Sequence, residues 1–246
     1  MVGLGTVVNV VAILIGSALG VWFGHRLPER TTRTVTDALG LTTLVIGGLN
    51  IVSLKDADFD AATGGATILV VLFALLAGGI VGSLLRIEDR LGSVGGWLQR
   101  RFAREDAPGS QARFIEGFVD ASLLFCIGPL AVLGALSDGL GRGIDQLALK
   151  SVLDLFASLA FAATLGWGVA AAAISVGVWQ GLLTAIAFLL GGLLPVALVA
   201  SMTATGGVLL LGVGLRLLQI RQVPVGDLLP AIVFAPVFTA ILLNVL

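Results

Sequence analysis

From Leu155 to Leu215 the chain runs 61 residues without one Asp, Glu, Lys, Arg or His. A bilayer's hydrocarbon core is about 30 Å thick and takes roughly 20 apolar residues per helix, so this run holds about three crossings. A soluble domain must cover its surface with polar groups and has no place for such a segment. The rest of the chain agrees. Leu69–Leu85 is also uncharged, 57% of the 246 residues are apolar and 12% are charged, against roughly 25% charged in soluble domains. The mean hydropathy is +1.08. The fold class expected is all-α: a polytopic transmembrane helix bundle making one integral membrane domain over residues 1–246.

Breaks in hydropathy predict about eight spans. They lie near Leu4–Gly24, Thr36–Ser53, Gly64–Leu85, Phe114–Leu136, Leu147–Leu165, Gly168–Leu190, Met202–Leu218 and Leu228–Leu246. No basic side chain precedes His25 and Arg26, so the first apolar segment reads as a retained span rather than a cleaved signal. Charge placement tests the count. Eleven of the 14 Lys and Arg fall in the loops after spans one, three, five and seven, and only Lys55, Arg142 and Lys150 lie on the other side. Positive charge stays cytoplasmic, which puts both termini outside a bacterial inner membrane. Merging spans five and six at Gly166-Trp167-Gly168 would move Arg216 and Arg221 outward and weaken that asymmetry.

The longest hydrophilic segment, residues 86–113, places Leu91, Val94, Trp97, Leu98 and Phe102 near helical spacing beside Arg90, Arg100, Arg101 and Arg104. That pattern suits a short amphipathic helix on the cytoplasmic leaflet, or else a solvated connector. With no Tyr, the interfacial aromatic role falls to Trp22, Trp97, Trp167 and Trp179, and His25 reads as interfacial. Glycines four apart, at Gly16, Gly20 and Gly24, at Gly78 and Gly82, and at Gly177 and Gly181, predict close helix packing.

An internal echo runs through the chain. Aligning Gly40 with Gly206 matches Ala38 with Ala204, Leu44 with Leu210, Gly48 with Gly214 and Leu49 with Leu215, and upstream Leu27-Pro28 answers Leu194-Pro195. Spans one to three then repeat as six to eight. Five helices of offset reverses direction, so the repeat is inverted, a plan common among transporters with a midplane site between halves.

Ionisable groups at membrane depth are costly and need a partner or a wet cavity. Asp120 in span four and Asp154 in span five are the candidates. Glu116 and Asp120 share a helical face four residues apart, where two like charges repel unless protonated or bound to a cation; Arg113 offers Glu116 a structural pair instead. Lys150 and Asp154 are also one turn apart, either as a self-satisfied pair or as a carboxylate that exchanges a proton or cation. Asn9 and Gln180 extend the substrate or ion-binding set, with Asn50, Thr184, Thr203 and Thr205 as further polar groups that serve equally as helix–helix hydrogen bonds. Gly128-Pro129 predicts a kink, or a broken helix exposing backbone oxygens.

No nucleophile–base pair, metal-ligand cluster, phosphate loop or cofactor motif occurs; one Cys and one His leave little for catalysis, and no enzyme activity is expected. A net charge of -1 lacks the basic footprint of a nucleic-acid binder. The expected partners are the lipid bilayer and a cation or small polar solute, with a homo-oligomer left open. A secondary transporter or channel is the leading reading. A non-transporting scaffold or regulator is the alternative, and an intramembrane enzyme has the least support.

Several blocks resemble a known family. They are Gly5–Asn9, Glu116-Gly117-Phe118, Ala121–Gly128, Asp138-Gly139-Leu140, Lys150-Ser151 with Asp154, Gln180-Gly181, Thr205-Gly206-Gly207 and Gly226–Ala231. In order over nearly the whole chain, they resemble the bacterial membrane family called domain of unknown function 554. Pro129 and Leu155 depart from the small residues expected there, and Arg216 and Asp227 stand where Asn is expected. The resemblance implies the cytoplasmic membrane and no particular substrate. Over Ser151–Leu218 alone, the Ser151–Ala157 block and the helix after Gly206 look like half of a manganese-exporter type of cation transporter.

Overall fold

The computed structural model describes residues 2–24, 28–90, 93, 97–98, 110–126, 129–190 and 195–245. Within them the order is α1 (Leu4–Gly24), α2 (Glu29–Ile51), a 3-10 turn (Val52–Lys55), α3 (Ala57–Thr63), α4 (Thr67–Leu85), α5 (Ser110–Cys126) and α6 (Pro129–Gly139). Then come α7 (Asp145–Leu165), α8 (Gly168–Leu190), α9 (Val196–Leu217), α10 (Val225–Leu228) and α11 (Ala231–Val245). No strand occurs among the described residues. His25, Arg26, Leu27, Gly128 and Leu194 lie outside the described residues, as do Leu91, Val94, Arg100, Arg101, Phe102 and Arg104 of the expected amphipathic segment.

The helices form two compact units, each drawing on segments far apart in sequence. The first comprises Met1–Leu39, Leu91–Cys126 and Leu130–Gly192; the second comprises Gly40–Arg90, Ile127–Pro129 and Leu193–Leu246.

In the first unit α1 lies along α7 through its glycines. A Cβ on Gly5 would meet Leu147, on Gly16 the Leu155 carbonyl and Ser158, on Gly20 the Leu159 carbonyl, and on Gly24 Ala163. Contact positions rise together in both helices, so α1 and α7 are parallel. Lipid tails are as apolar as these side chains, so the backbones are held by close van der Waals approach. α8 returns antiparallel after Gly166-Trp167. A Cβ on Gly177 would come no nearer than 3.4 Å to Val10 and one on Gly181 would meet nothing within 4 Å, so the expected close packing at that glycine pair does not form.

α5 and the helix from Leu130 to Gly139 meet at 78°, a break far sharper than a plain kink. The pair still runs from one end of the unit to the other. Gly168 packs on Phe114 and Gly117 on Leu165 near the α7–α8 turn, whereas Gly134 packs on Leu147 and Gly139 on Thr184 near the opposite end.

In the second unit α9 is central and buried on most sides from Ala197 to Leu217. α2 crosses it antiparallel: Gly40 meets Leu218, Leu44 meets Gly214, and Gly47 and Gly207 meet each other's backbone. α4 and α11 are also antiparallel, with Gly78 on Ala231 and Gly82 on Asp227. The expected glycine packing of α1 and α4 is therefore present.

Seven helices among the described residues are long and apolar enough to cross a membrane, and the bent pair makes an eighth. Direction decides that the bent pair counts. Successive crossings alternate, so a parallel α1 and α7 require an odd number between them, namely α2, α4 and the α5–α6 pair. The antiparallel α2 and α9 of the second unit require an even number between them and give the same answer. The helix pairs matched by the echo, α1 with α8, α2 with α9 and α4 with α11, all run antiparallel, as an inverted repeat requires.

Several boundaries differ from the hydropathy reading. α4 starts at Thr67 rather than Gly64, because Gly64 and Gly65 have φ of 57° and 83°, a left-handed turn that glycine tolerates. The preceding α3, not expected from hydropathy, is capped by Asp56, whose carboxylate accepts the Phe59 N–H at 3.0 Å. α9 starts just after Pro195, whose fixed φ suits a helix entrance. α2 extends back to Glu29, beyond its apolar stretch.

Candidate functional site

The first helix is inside out by the standards of a soluble protein. Thr6, Asn9 and Ser17 are buried with Ala12, Ile13 and the glycines, while Val7, Val8, Val11, Leu14, Ile15 and Leu19 are exposed. An exposed apolar face of this size belongs against lipid. Polar residues on the buried face must then find partners on neighbouring helices, because hydrocarbon offers none.

Of these, Asn9 finds one on α8. Asn9 Nδ2 donates to Gln180 Oε1 at 3.2 Å, and both residues are fully buried. On α7, Lys150 and Asp154 form an ion pair one turn apart with side chains 7% and 10% exposed. The Asn9 side chain also lies beside Asp154, which brings the amide bridge next to the ion pair. From the end of α5, the Phe125 ring lies beneath the Lys150 ammonium, 5.9 Å from Nζ to its centroid, within the reach of a cation–π attraction. Cys126 lies near enough to feel both charges.

Two charges in an apolar bundle survive only as a pair with their remaining valences satisfied. Here the ammonium has a carboxylate and an aromatic face, and the carboxylate has the ammonium, with the Asn9 amide close by. The arrangement is neutral as it stands. A proton or cation that took Asp154 would have to displace Lys150 from it. Among the described residues no group of three or more His, Cys, Asp or Glu could hold a metal ion.

Asn9, Lys150, Asp154 and Gln180 thus converge. Asp120 and Glu116 stand apart from them. Asp120 is fully buried, but Gly117 packs on Leu165, which places this part of α5 near the end of α7. Leu165 is eleven residues, roughly 16 Å along the axis, beyond Asp154. Glu116 is half-buried, and the expected Arg113–Glu116 pair does not form: Arg113 is exposed and no ion pair joins the two. Its side chain gains more from water than from holding a half-wet partner. Thr203 and Thr205 turn back onto their own helix, bonding the Val199 and Ser201 carbonyls at 2.8 Å each.

Sequence reasoning missed a second constellation, in the second unit. Glu88 accepts from Arg216 Nη1 at 2.5 Å and from the Gly226 N–H at 2.6 Å, while its own N–H donates to Asp227 Oδ1 at 2.9 Å. Arg86, at φ 51°, ends α4 and turns the chain so that Glu88 can reach. The partners are more than 100 residues apart, and the one sequence signal was the pair of departures at Arg216 and Asp227. Asp138, at the end of α6, is buried and accepts the Gly3 and Gly5 N–H groups at 3.0 Å each.

A groove of about 530 Å³ runs between α1 and α8, lined by Val10, Leu14, Phe114, Trp167, Ile174, Val178 and neighbouring alanines and Gly177. It is apolar and neither Asp120 nor Asp154 lines it.

Among known proteins, the chain is 32% identical over 232 residues to "Uncharacterized protein YqgA" of Escherichia coli (strain K12), covering 94% of each chain. It is 29% identical over 235 residues to "Uncharacterized membrane protein YdfK" of Bacillus subtilis (strain 168), covering 95% of this chain and 94% of that one. No solved structure matches it. Residues 4–240 match the family model described as "Protein of unknown function (DUF554)", and this membrane protein of about eight spans belongs to that family.

Proposed function

We propose that this protein is a secondary transporter or channel for a cation or small polar solute, working at the Lys150–Asp154 pair and the Asn9–Gln180 bridge. The observation that carries the reading is convergence: two charged and two amide side chains from three helices lie together inside the bundle. Packing alone is better served by hydrophobic residues of the same volume. The antiparallel pairing of α1 with α8, α2 with α9 and α4 with α11 supports it too, since opposed repeats are a common transporter plan. The charge asymmetry of the loops supports a bacterial cytoplasmic membrane with both termini outside. We read it as a non-enzyme.

A scaffold or regulatory role draws support from the same ion pair, because Lys150 and Asp154 neutralise each other on one helix. Reconstitution separates the two. In proteoliposomes with protein inserted, uptake of labelled Na⁺, K⁺ or Mn²⁺ and dissipation of a proton gradient are measured for wild type and Asp154→Asn. Transport predicts a flux that Asp154→Asn abolishes while the protein still inserts. A flux untouched by the substitution removes Asp154 from the mechanism, and no flux above empty liposomes favours the scaffold.

A further inference from the structure

Span four breaks at the level of the Lys150–Asp154 pair. α5 and α8 run parallel: Gly168 packs on Phe114, and Ser122 Oγ donates to Ser175 Oγ at 3.0 Å. One turn farther along both helices, α5 ends at Cys126, beside the level of Gln180. A helix that stops leaves its last four carbonyls without a donor of its own. The negative end of its dipole, about half an elementary charge, gathers there. The last two residues of α5, Phe125 and Cys126, are the ones that lie by the Lys150 ammonium. Lys150 Nζ therefore sits among three features that each favour positive charge: the Asp154 carboxylate, the Phe125 ring and the carbonyl end of α5.

None of the three is particular to a nitrogen. In membrane proteins the carbonyl ends of interrupted helices coordinate small cations. We propose that the Lys150 ammonium is a tethered cation filling a monovalent-cation site, formed by Asp154 and the carbonyl end of α5, which an alkali cation takes when the ammonium leaves. The inference rests on the transport reading above and names the alkali cations as its substrate class. The space required is the one the ammonium itself occupies, so no separate cavity is called for. The exchange conserves charge: one ammonium leaves and one monovalent ion enters. A divalent ion would leave a net positive charge in an apolar bundle, and no group of three or more His, Cys, Asp or Glu among the described residues could hold it. Lys150 has somewhere to go. It lies five residues, roughly 8 Å, from the start of α7 at Asp145, and its stem can lie along the helix and carry the ammonium toward that surface.

The test uses the full-length protein in detergent, with bulky N-methylglucamine as the only cation besides protons. Thermal unfolding is followed as LiCl, NaCl or KCl is added, against N-methylglucamine chloride at equal ionic strength. The wild type should be indifferent, because its own ammonium holds the site. Lys150→Met vacates it, and at least one alkali cation should raise the midpoint by about 5–10 °C at a hundredfold excess over its dissociation constant. Lys150→Met/Asp154→Asn should not respond. A Lys150→Met protein indifferent to all three ions overturns the tethered cation, because a merely structural carboxylate takes a proton and follows pH alone. An equal rise in the wild type or in the double variant overturns it too. Where Lys150→Met aggregates in N-methylglucamine, the yield of monodisperse protein replaces the midpoint: recovery in an alkali salt supports the site, and aggregation in every salt overturns it. The transport reading fails separately. Alkali-stabilised Lys150→Met without wild-type flux in proteoliposomes overturns transport and leaves the site, whereas wild-type flux with an indifferent Lys150→Met overturns only the tethered cation.

Discussion

Arg216 near the end of α9 and Glu88 just past α4, 128 positions apart, form an ion pair with 2.5 Å between Nη1 and Oε1. The pair is partly shielded, with side chains 13% and 29% exposed, and Glu88 also fastens the backbone of Gly226. Glu88→Gln keeps the shape and removes the charge. It is expected to lose about 1–3 kcal/mol, read as a lower midpoint of thermal unfolding in detergent, with Arg216→Met behaving similarly. An unchanged midpoint for both would show that the contact does not hold α4, α9 and α10 together.

Within the first unit, the neutrality of Lys150–Asp154 separates stability from activity. Lys150→Met leaves a buried carboxylate without its ammonium and should lose about 3–5 kcal/mol. The double change Lys150→Met/Asp154→Leu removes both charges and should recover most of that stability while flux stays absent. Thermal unfolding and proteoliposome flux on the same preparations check this. A double variant that still transports would exclude the pair.

The glycines of α1 and α2 make opposite predictions. Gly20→Val drives a side chain against the Leu159 carbonyl of α7, backbone that cannot yield, and should destabilise by about 1–3 kcal/mol or more. Gly48 on α2 meets nothing within 4 Å, so Gly48→Ala should gain roughly 0.5–1 kcal/mol from helix propensity. Detergent unfolding of the two variants measures the difference in sign.

Asp138→Ala removes the acceptor for two backbone N–H groups at the start of α1. A lost cap of this kind is worth about 1–2 kcal/mol. Hydrogen exchange should quicken at Gly3 and Gly5 and leave the middle of α1 unaffected, and uniform exchange along α1 would contradict the capping role.

Much of the architecture was legible because lipid is an undemanding reader of sequence. A crossing needs only length and apolar composition, so α1 and α8 lie at the residues expected for spans one and six. The boundaries that moved, at Gly64-Gly65 and Pro195, did so where backbone φ rather than hydropathy sets the start of a helix. The site was half legible. Lys150–Asp154 is a contact within one turn of helix and follows from spacing. Asn9 and Gln180 were singled out as polar groups in apolar surroundings, but spacing says nothing about which helix faces which.

By itself the sequence determined the solvent: no arrangement of this chain hides its uncharged runs from water except one that places them in hydrocarbon. It also predicted about eight crossings, a number for which the directions of the packed helices then required the bent pair. Tertiary structure decided everything that depends on juxtaposition. It joined Asn9 to Gln180 across 171 positions, broke span four by 78°, withheld Arg113 from Glu116 and gave Glu88 to Arg216. These outcomes turn on the rotation and register of one packed helix against another. Those are set by where a glycine lets two backbones touch, and hydropathy along a single helix carries no record of them.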